Sequence, residues 1–183
     1  MQLPTPHGLI SLRQSQPADA EEFRLLRLEA LLNHPEAFSA DYHFNVQQPV
    51  TYWVGRLRSL ESQFDLSARG TIYFAEHGDH LIGMCGVQRG DSPKTLHTAW
   101  IWGVYVSESW RGLRIADALI DQCAQWAAAH AVTSLKLGVA THNTSAIRCY
   151  TRCGFTVYGV EPQAIYNEGK MIDELLMVHY LDQ

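Results

Sequence analysis

The sequence lacks the features that mark several large classes of protein. Its 183 residues contain no internal repeat, no low-complexity segment and no excess of basic residues, and the net charge is −5 with neutral histidines. Because nucleic-acid binding depends on clustered positive charge, this acidic balance argues against nucleic acid as a main partner. The longest uncharged apolar stretch, near residues 95–107, is too short to span a bilayer, so we expect no membrane segment.

Patterns typical of metal sites and secretion are also missing. The four cysteines (Cys85, Cys123, Cys149 and Cys153) lack the paired spacing of a zinc site, and the nine histidines are scattered, so we predict no metal centre. The amino terminus has no basic region followed by an apolar run, so we expect no signal peptide. We therefore interpret the cysteines as reduced, buried thiols of a cytoplasmic protein.

Hydrophobic residues make up 46% of the chain, and this content over 183 residues suits one domain spanning residues 1–183. Residue periodicity predicts an α/β (α+β) domain with a mixed sheet. The predicted strands cover residues 9–13, 71–76, 80–88, 100–106, 134–140, 155–160 and 174–181. The predicted helices cover residues 17–33, 49–69, 115–130 and 143–153.

Local signals set the limits of these elements. Asp19 and Glu22 have the spacing of a capping box at the first helix, which His34-Pro35 ends. We predict that residues 37–48, which contain several aromatic side chains, form a loop, and that residues 161–173 form another. The aromatic side chains of residues 37–48 are consistent either with a wall of the substrate site or with packing of the loop on the core.

The most informative stretch is a strand that leads directly into a helix. Aromatic and β-branched residues fill 100–106, a short turn follows, and a helical period begins near Ile115. The free N–H groups and the positive dipole of such a helix start form an anion site, to which Arg111 and Arg114 add positive charge. The stretch therefore predicts a diphosphate site beside an exposed strand edge.

Two motifs in this order resemble those of the GNAT-type N-acetyltransferases, a superfamily that uses acetyl-CoA. Val104-x-Val106 followed by Arg111-Gly-Leu-Arg-Ile-Ala116 resembles the pyrophosphate loop of that family. Asn143-x-x-Ala146-x-x-x-Tyr150-x-x-x-Gly154-Phe155 resembles its second cofactor segment. The resemblance implies a mixed, mostly antiparallel sheet of about seven strands, splayed between the fourth (100–106) and fifth (134–140), with about four flanking helices.

The resemblance also implies roles for individual residues. The Tyr150 hydroxyl would donate a proton to the departing thiolate, and Asn143 would hydrogen-bond the cofactor arm. The backbone that would contact pantetheine and the acetyl carbonyl belongs to Val104, Tyr105 and Val106. The backbone N–H groups that would bind the pyrophosphate belong to Arg111, Gly112, Leu113, Arg114, Ile115 and Ala116.

Simpler interpretations of the same residues remain open. Tyr150 also suits a core position on an amphipathic helix, and Asn143 also suits a helix N-cap. Arg111 is also compatible with a solvated surface charge.

The chain departs from the family pattern in three places. Arg114 replaces a central glycine, which would forgo the glycine's conformational freedom while placing a cation near a phosphate. Glu108 stands where a proline is common. Gly138 stands where some members carry a glutamate as general base. The base is thus unassigned, with a water chain, Glu76, Glu174 and His142 as the alternatives.

The favoured function is an acetyl-CoA-dependent N-acetyltransferase acting on a primary amine of a small molecule, protein or peptide. Acceptors are expected to approach opposite the cofactor, on a side shaped by residues 34–48 and 161–173. One alternative is a non-catalytic acetyl-CoA-binding module, which the missing carboxylate at Gly138 favours. Another is an interaction protein, or a homodimer, that uses the sheet edge.

Overall fold

The computed structural model describes residues 1–58 and 69–181. The strands are β1 (Gln2–Thr5), β2 (Gly8–Gln14), β3 (Gly70–His77), β4 (His80–Arg89), β5 (Thr98–Val106), β6 (Ser134–Ala140), β7 (Thr156–Asn167) and β8 (Lys170–Tyr180). The α-helices are α1 (Ala20–Asn33), α2 (Tyr42–Val46), α3 (Val50–Arg58), α4 (Ile115–Ala129) and α5 (Thr144–Arg152). Short 3-10 turns occupy Pro17–Asp19, Pro35–Ala37 and Glu108–Trp110.

The strands form one mixed sheet in the order β1-β2-β3-β4-β5-β6-β8-β7. Only β5 and β6 run parallel, and the other neighbouring pairs are antiparallel. The predicted fold class is confirmed, with eight strands in the described residues rather than about seven. The additional strand is β1, which has four residues and includes Pro4, and it pairs with β2 at the sheet edge, where a proline is tolerated.

Helices cover both faces of the sheet. On one face, α4 buries Ile115, Leu119, Cys123 and Trp126, the apolar period predicted from the sequence. On the other face, α1 and α3 pack a second apolar cluster against β3 and β4, with Phe23, Trp53 and Phe74 almost fully buried. Burying a side chain of this size contributes about 1.5–3 kcal/mol, so the two clusters fix the sheet between its helices.

The predicted capping box at Asp19 is wrong. The Asp19 carboxylate accepts hydrogen bonds from the Gln16 backbone N–H at 2.7 Å and from Arg13 Nη1 at 2.8 Å, and it caps no N–H of α1. Asp19 is instead the last residue of a 3-10 turn, where its carboxylate closes a capping box that begins at Gln16 and also pairs with Arg13.

The two predicted loops are also partly wrong. Residues 37–48 include helix α2, whose first turn is capped by Asp41 accepting from the Phe44 N–H at 2.6 Å. Residues 161–173 mostly belong to a long β7–β8 hairpin. Its tight turn is made by Glu168 and Gly169, both with positive φ, as two-residue hairpins require. The edge position of β7 and a bulge after Glu161 accommodate Pro162, the residue that made this segment look like a loop.

Helix α3 starts directly after Pro49, as predicted, and it is described as far as Arg58; the rest of the predicted helix up to residue 68 lies outside the described residues. None of the helices in the described parts of the chain has the length and apolar character needed to cross a membrane. All four cysteines are free thiols, and burial is complete for Cys85 and Cys123 but only partial for Cys149 and Cys153.

Candidate active site

The predicted splay lies between β5 and β6. The two strands pair only from Thr98 to Trp100, and β5 then continues to Val106 without a partner on that side. On its other side, the register with β4 shifts so that Gly103 and Val104 together face Cys85. Gly103 has φ +65, which a bulge of this kind requires and a glycine adopts without strain. The end of β5 therefore presents an open backbone edge.

A cavity of about 570 Å³ opens at this edge. Tyr150 and nine of the ten residues predicted to bind the cofactor line it. The exception is Leu113, whose side chain packs against the main core. Of the two segments expected to shape the acceptor side, 34–48 contributes His34, Ala37 and Phe38, whereas the hairpin residues 161–173 contribute none.

The start of α4 leaves a row of backbone N–H groups unused. Among the described residues, the N–H groups of 112–117 donate no backbone hydrogen bond, and the first helical bond runs from Ala118 to the Arg114 carbonyl at 3.2 Å. The Arg111 N–H is not part of this row, because it donates to the Glu108 carbonyl oxygen at 3.2 Å. The sequence predicted an anion site formed by the N–H groups of residues 111–116. The unused N–H groups begin one residue later, after Arg111.

Arg114 adopts the conformation that the glycine of the family pattern would supply. Its φ of 60 and ψ of 24 are left-handed, so the expectation that an arginine forgoes this geometry is wrong. A non-glycine residue in that region costs about 1 kcal/mol or more. The Arg114 side chain is held by the Asp117 carboxylate, which accepts from its Nε at 2.8 Å.

Asp117 joins α4 to α5, a role that the sequence analysis missed. Its carboxylate also accepts from Arg152 Nη2 at 2.9 Å and from Cys149 Sγ at 3.0 Å. Partial burial opposes ionisation, but the hydrogen bonds from Cys149, Arg114 and Arg152 outweigh it and lower the pKa of Asp117. The spacing of three residues between Arg114 and Asp117 could have predicted their ion pair from the sequence, but not the contacts with α5.

Arg111 is exposed, but its guanidinium is held by two contacts with the rest of the fold. Its Nε donates to the Val106 carbonyl oxygen at 3.0 Å, and its Nη2 lies 2.7 Å from His34 Nε2. Burial and the Arg111 charge lower the pKa of His34, so this imidazole is neutral at pH 7 and accepts from the guanidinium. Arg111 thus connects the end of α1 to β5 while still lining the cavity.

Asn143 and Tyr150 come from the start and middle of α5. The Asn143 Oδ1 caps the helix, accepting from the Ala146 N–H at 3.2 Å, which leaves its amide Nδ2 available. Tyr150 is 8% exposed and belongs to the main core, yet it also lines the cavity. Burial is the main cause that raises the pKa of Tyr150, so its hydroxyl stays protonated. The core interpretation and the catalytic interpretation are therefore compatible.

The candidate bases lie in very different surroundings. Glu76 is engaged by Arg13 through bonds of 2.9 and 3.0 Å. His142 is exposed and lies 3.3 Å from Glu36 at the surface. Glu174, on β8, places its carboxylate in the space that a side chain at Gly138 would fill, since an added Cβ there would lie 2.5 Å from Oε2.

Burial raises the pKa of Glu174, and Glu161, its cross-strand neighbour on β7, raises it further. A carboxylate is thus present where the family pattern has one, although a different strand supplies it. The half-buried surroundings make Glu174 a stronger base than an exposed glutamate.

Residues 31–155 match the sequence model of the Acetyltransferase (GNAT) family. This chain belongs to the GNAT family.

Two curated relatives align with part of it. Streptothricin acetyltransferase from Escherichia coli is 29% identical over 90 residues, which cover 46% of this chain and 52% of the relative. L-2,4-diaminobutyric acid acetyltransferase from Streptomyces anulatus is 31% identical over 88 residues, 48% of each protein. The chain thus matches about half the length of these relatives.

Solved structures of GNAT proteins share the whole fold of this one. A GNAT-family acetyltransferase from Streptococcus pneumoniae superimposes with a TM-score of 0.81 at 20% identity, covering 94% of this chain and 99% of the other. The YncA protein of Salmonella typhimurium, solved with its cofactor acetyl-CoA, gives 0.79 at 20% identity and covers 95% of both chains. At these identities the likeness supports the fold, and the residue roles must be argued from this site itself.

Proposed function

We propose that this GNAT protein is an acetyl-CoA-dependent N-acetyltransferase that acts on a primary amine. The observation that carries the proposal is the open edge of β5 at 104–106, which runs into the unused N–H groups at the start of α4 with Tyr150 on the same cavity wall. An extended thioester arm can pair with the strand edge while its diphosphate binds the helix start.

The residues present fit acetyl-CoA, which supplies an acetyl thioester as the group to be transferred. The N–H groups of 112–117 and the guanidiniums of Arg114 and Arg152 would bind the diphosphate. The backbone of residues 104–106 and the free amide of Asn143 would hold the pantetheine arm. Asp117 keeps both guanidiniums at the cavity mouth before any ligand arrives.

Tyr150 would donate a proton to the departing sulfur. The burial that keeps its hydroxyl protonated also disfavours a bare thiolate beside it, so a hydrogen bond or proton transfer between the two is favourable. The remaining rate gain would come from holding amine and thioester together, and from N–H donors directed at the carbonyl oxygen.

Glu174 would accept the proton that the amine loses, directly or through water. Its position in the space beside Gly138 and its raised pKa support this role over Glu76 and His142, which have other partners. The Glu174 carboxylate beside Gly138 also weakens the alternative of a non-catalytic binding module. The main support for that alternative was the lack of a carboxylate side chain at Gly138.

For the acceptor, the relatives favour a small molecule over a protein. One is named for streptothricin and the other for L-2,4-diaminobutyric acid. Thiol release from acetyl-CoA over a panel of small amines and peptides tests the proposal. We expect turnover with at least one small amine. Acetyl-CoA binding without turnover on any acceptor would instead support the binding module.

Homodimer formation also stays a proposal. Strand β7 is one edge of the sheet, and Val157, Tyr158 and Val160 on it are half-exposed. Exposed apolar residues on an open edge favour pairing with a second copy. Sedimentation equilibrium would show a dimer that a Val160→Lys substitution dissociates, and a monomer at all concentrations would contradict it.

A further inference from the structure

A buried arginine lies in the middle of α1 and, within residues 1–58 and 69–181, has no partner of opposite charge. Arg27 is 9% exposed, and its Nη1 is buried and makes no hydrogen bond. Its guanidinium carbon lies 4.7 Å from the centre of the Phe38 ring. A cation–π contact of this kind compensates only part of the cost of removing a guanidinium from water.

The charge of Arg27 persists despite this environment. Burial, together with the like charge of Arg56, lowers the pKa of Arg27 to about 10, so the group is still protonated at pH 7. Arg13 shows how the same chain satisfies a partly buried guanidinium, with Asp19 and Glu76 at 2.8 and 2.9 Å. No carboxylate among the described residues forms an ion pair with Arg27, and a buried charge of this kind is strongly destabilising unless a ligand completes the pair.

The position of Arg27 relates it to the cavity. An added Cβ at Gly103 would lie 3.5 Å from Arg27 Nη1, and the next residue, Val104, lines the cavity. Phe38 lines it as well. The guanidinium therefore lies directly behind a wall made of the β5 bulge and one aromatic ring, on the sheet face that carries α1.

We propose that Arg27 binds the carboxylate of the acceptor, so that the acceptors are amino acids rather than simple amines. The Phe38 ring would move aside, and a bidentate, charge-assisted pair would replace the weaker ring contact. This inference rests on the proposed acetyl transfer, and it names the substrate class of the same site. A carboxylate fixed at Arg27 would hold the amine of the same small molecule beside the open end of β5.

The test compares acceptors that differ only in the carboxylate. Thiol release is measured for lysine against cadaverine, L-2,4-diaminobutyrate against 1,3-diaminopropane, and phenylalanine against phenethylamine. We expect kcat/KM to favour the carboxylated member of every active pair by about 100-fold, the range measured for losing one partner of a buried charge pair. Lysine amide and a lysyl dipeptide separate a free amino acid from a peptide, because the amide has no carboxylate and the dipeptide has one farther from the amine.

Variants assign the preference to Arg27. Arg27→Met should lower kcat/KM for the carboxylated acceptor by about 100-fold and leave its counterpart and the Kd for acetyl-CoA unchanged. Arg27→Lys should recover only part of the loss, since an ammonium lacks the planar fork. Arg24→Met is the matched control on the same helix, because Arg24 contacts Glu21 and the Val46 carbonyl near the surface, and it should change neither acceptor.

A stability measurement distinguishes binding from a structural role. Arg27→Met should raise the Tm of the ligand-free protein by removing an unpaired buried charge, whereas a structural arginine would lower it. Equal use of both members of the pairs by the wild type, or an equal loss on both in Arg27→Met, would overturn the inference. If no acceptor releases thiol, the proposed function fails instead. The inference is then decided separately by calorimetry, which measures binding of the same amino acids in the presence of CoA. Binding that is lost in Arg27→Met would support the inference, and binding that is kept would overturn it.

Discussion

The proposed cofactor end and the proposed acceptor end of the site are built on different principles. At the cofactor end, the side-chain charges are already paired through Asp117, and the groups left unused are backbone N–H donors at the start of α4. At the proposed acceptor end, the side chains carry the unbalanced charges: Arg27 forms no ion pair within residues 1–58 and 69–181, and Glu174 lies opposite Glu161 on the neighbouring strand. The first end is suited to a diphosphate, whereas under our proposal the second end is completed by an acceptor that carries both a carboxylate and an amine.

The difference predicts that substitutions at the junction of the two ends have the largest effect on turnover. Tyr150→Phe should reduce kcat by about 100-fold or more, the usual contribution of a general acid, with little change in the Kd for acetyl-CoA. Steady-state thiol release and calorimetry measure the two quantities. Tyr73→Phe is the matched control, since it removes a hydroxyl that Gln14 hydrogen-bonds and Tyr73 does not line the cavity. Full activity of Tyr150→Phe on every acceptor would refute the acid assignment.

A second, smaller effect is expected from Glu174→Gln, with kcat/KM falling about 10- to 100-fold. The pKa of Glu174 is raised, so its carboxylate becomes available only as the pH rises through that value, and kcat/KM should increase with pH over this range. Glu161→Gln should move the midpoint to lower pH, because it removes the like charge. An identical pH–rate profile in wild type and Glu174→Gln would exclude this glutamate as the base.

The same group makes a prediction about stability. A carboxyl whose pKa is raised by folding favours the folded state while it is protonated, and that contribution is lost as the pH rises through the folded-state pKa. Glu174→Gln should therefore be at least as stable as the wild type at neutral pH, with the difference vanishing in acid. Thermal unfolding across pH measures it. A clear loss of stability at neutral pH would show that the carboxylate is structural.

At the cofactor end, Arg114 allows charge and conformation to be separated. Arg114→Ala removes the guanidinium but keeps a Cβ at a residue with φ 60. Arg114→Gly removes the guanidinium and also relieves the backbone strain at this position. Both should weaken acetyl-CoA binding by about five- to tenfold, the size of one charge-assisted contact. The glycine variant should be about 1 kcal/mol more stable than the alanine variant. Equal stability of the two would contradict the strained position.

The smallest effect is expected at Arg111. Its guanidinium is already engaged by the Val106 carbonyl and His34, so it has less freedom to contact a phosphate than Arg114. Arg111→Ala should weaken acetyl-CoA binding by a few-fold, with the fold intact by circular dichroism. A loss larger than that of Arg114→Ala would reverse the proposed order.

Local signals predicted the strand, turn and helix start of the proposed cofactor end. The strand, turn and helix start from 100 to 116 and the α5 segment are contiguous in sequence, so residue type and period were sufficient. The acceptor end depends on contacts between distant segments. Glu174 reaches the space beside Gly138 because β8 pairs with β6, a register that no local pattern encodes. Arg27 follows Phe23 by four residues and precedes Ala30 by three, which places it on the buried face of α1. That spacing was the signal missed.

Hydrogen exchange of the backbone amides, with and without acetyl-CoA, tests the central claim most directly. The account predicts strong additional protection at residues 104–106 and 112–117 when acetyl-CoA is bound, with α1 and the β7–β8 hairpin little changed. Unchanged exchange at both segments in excess acetyl-CoA would show that neither the β5 edge nor the start of α4 binds the cosubstrate, and would contradict the account.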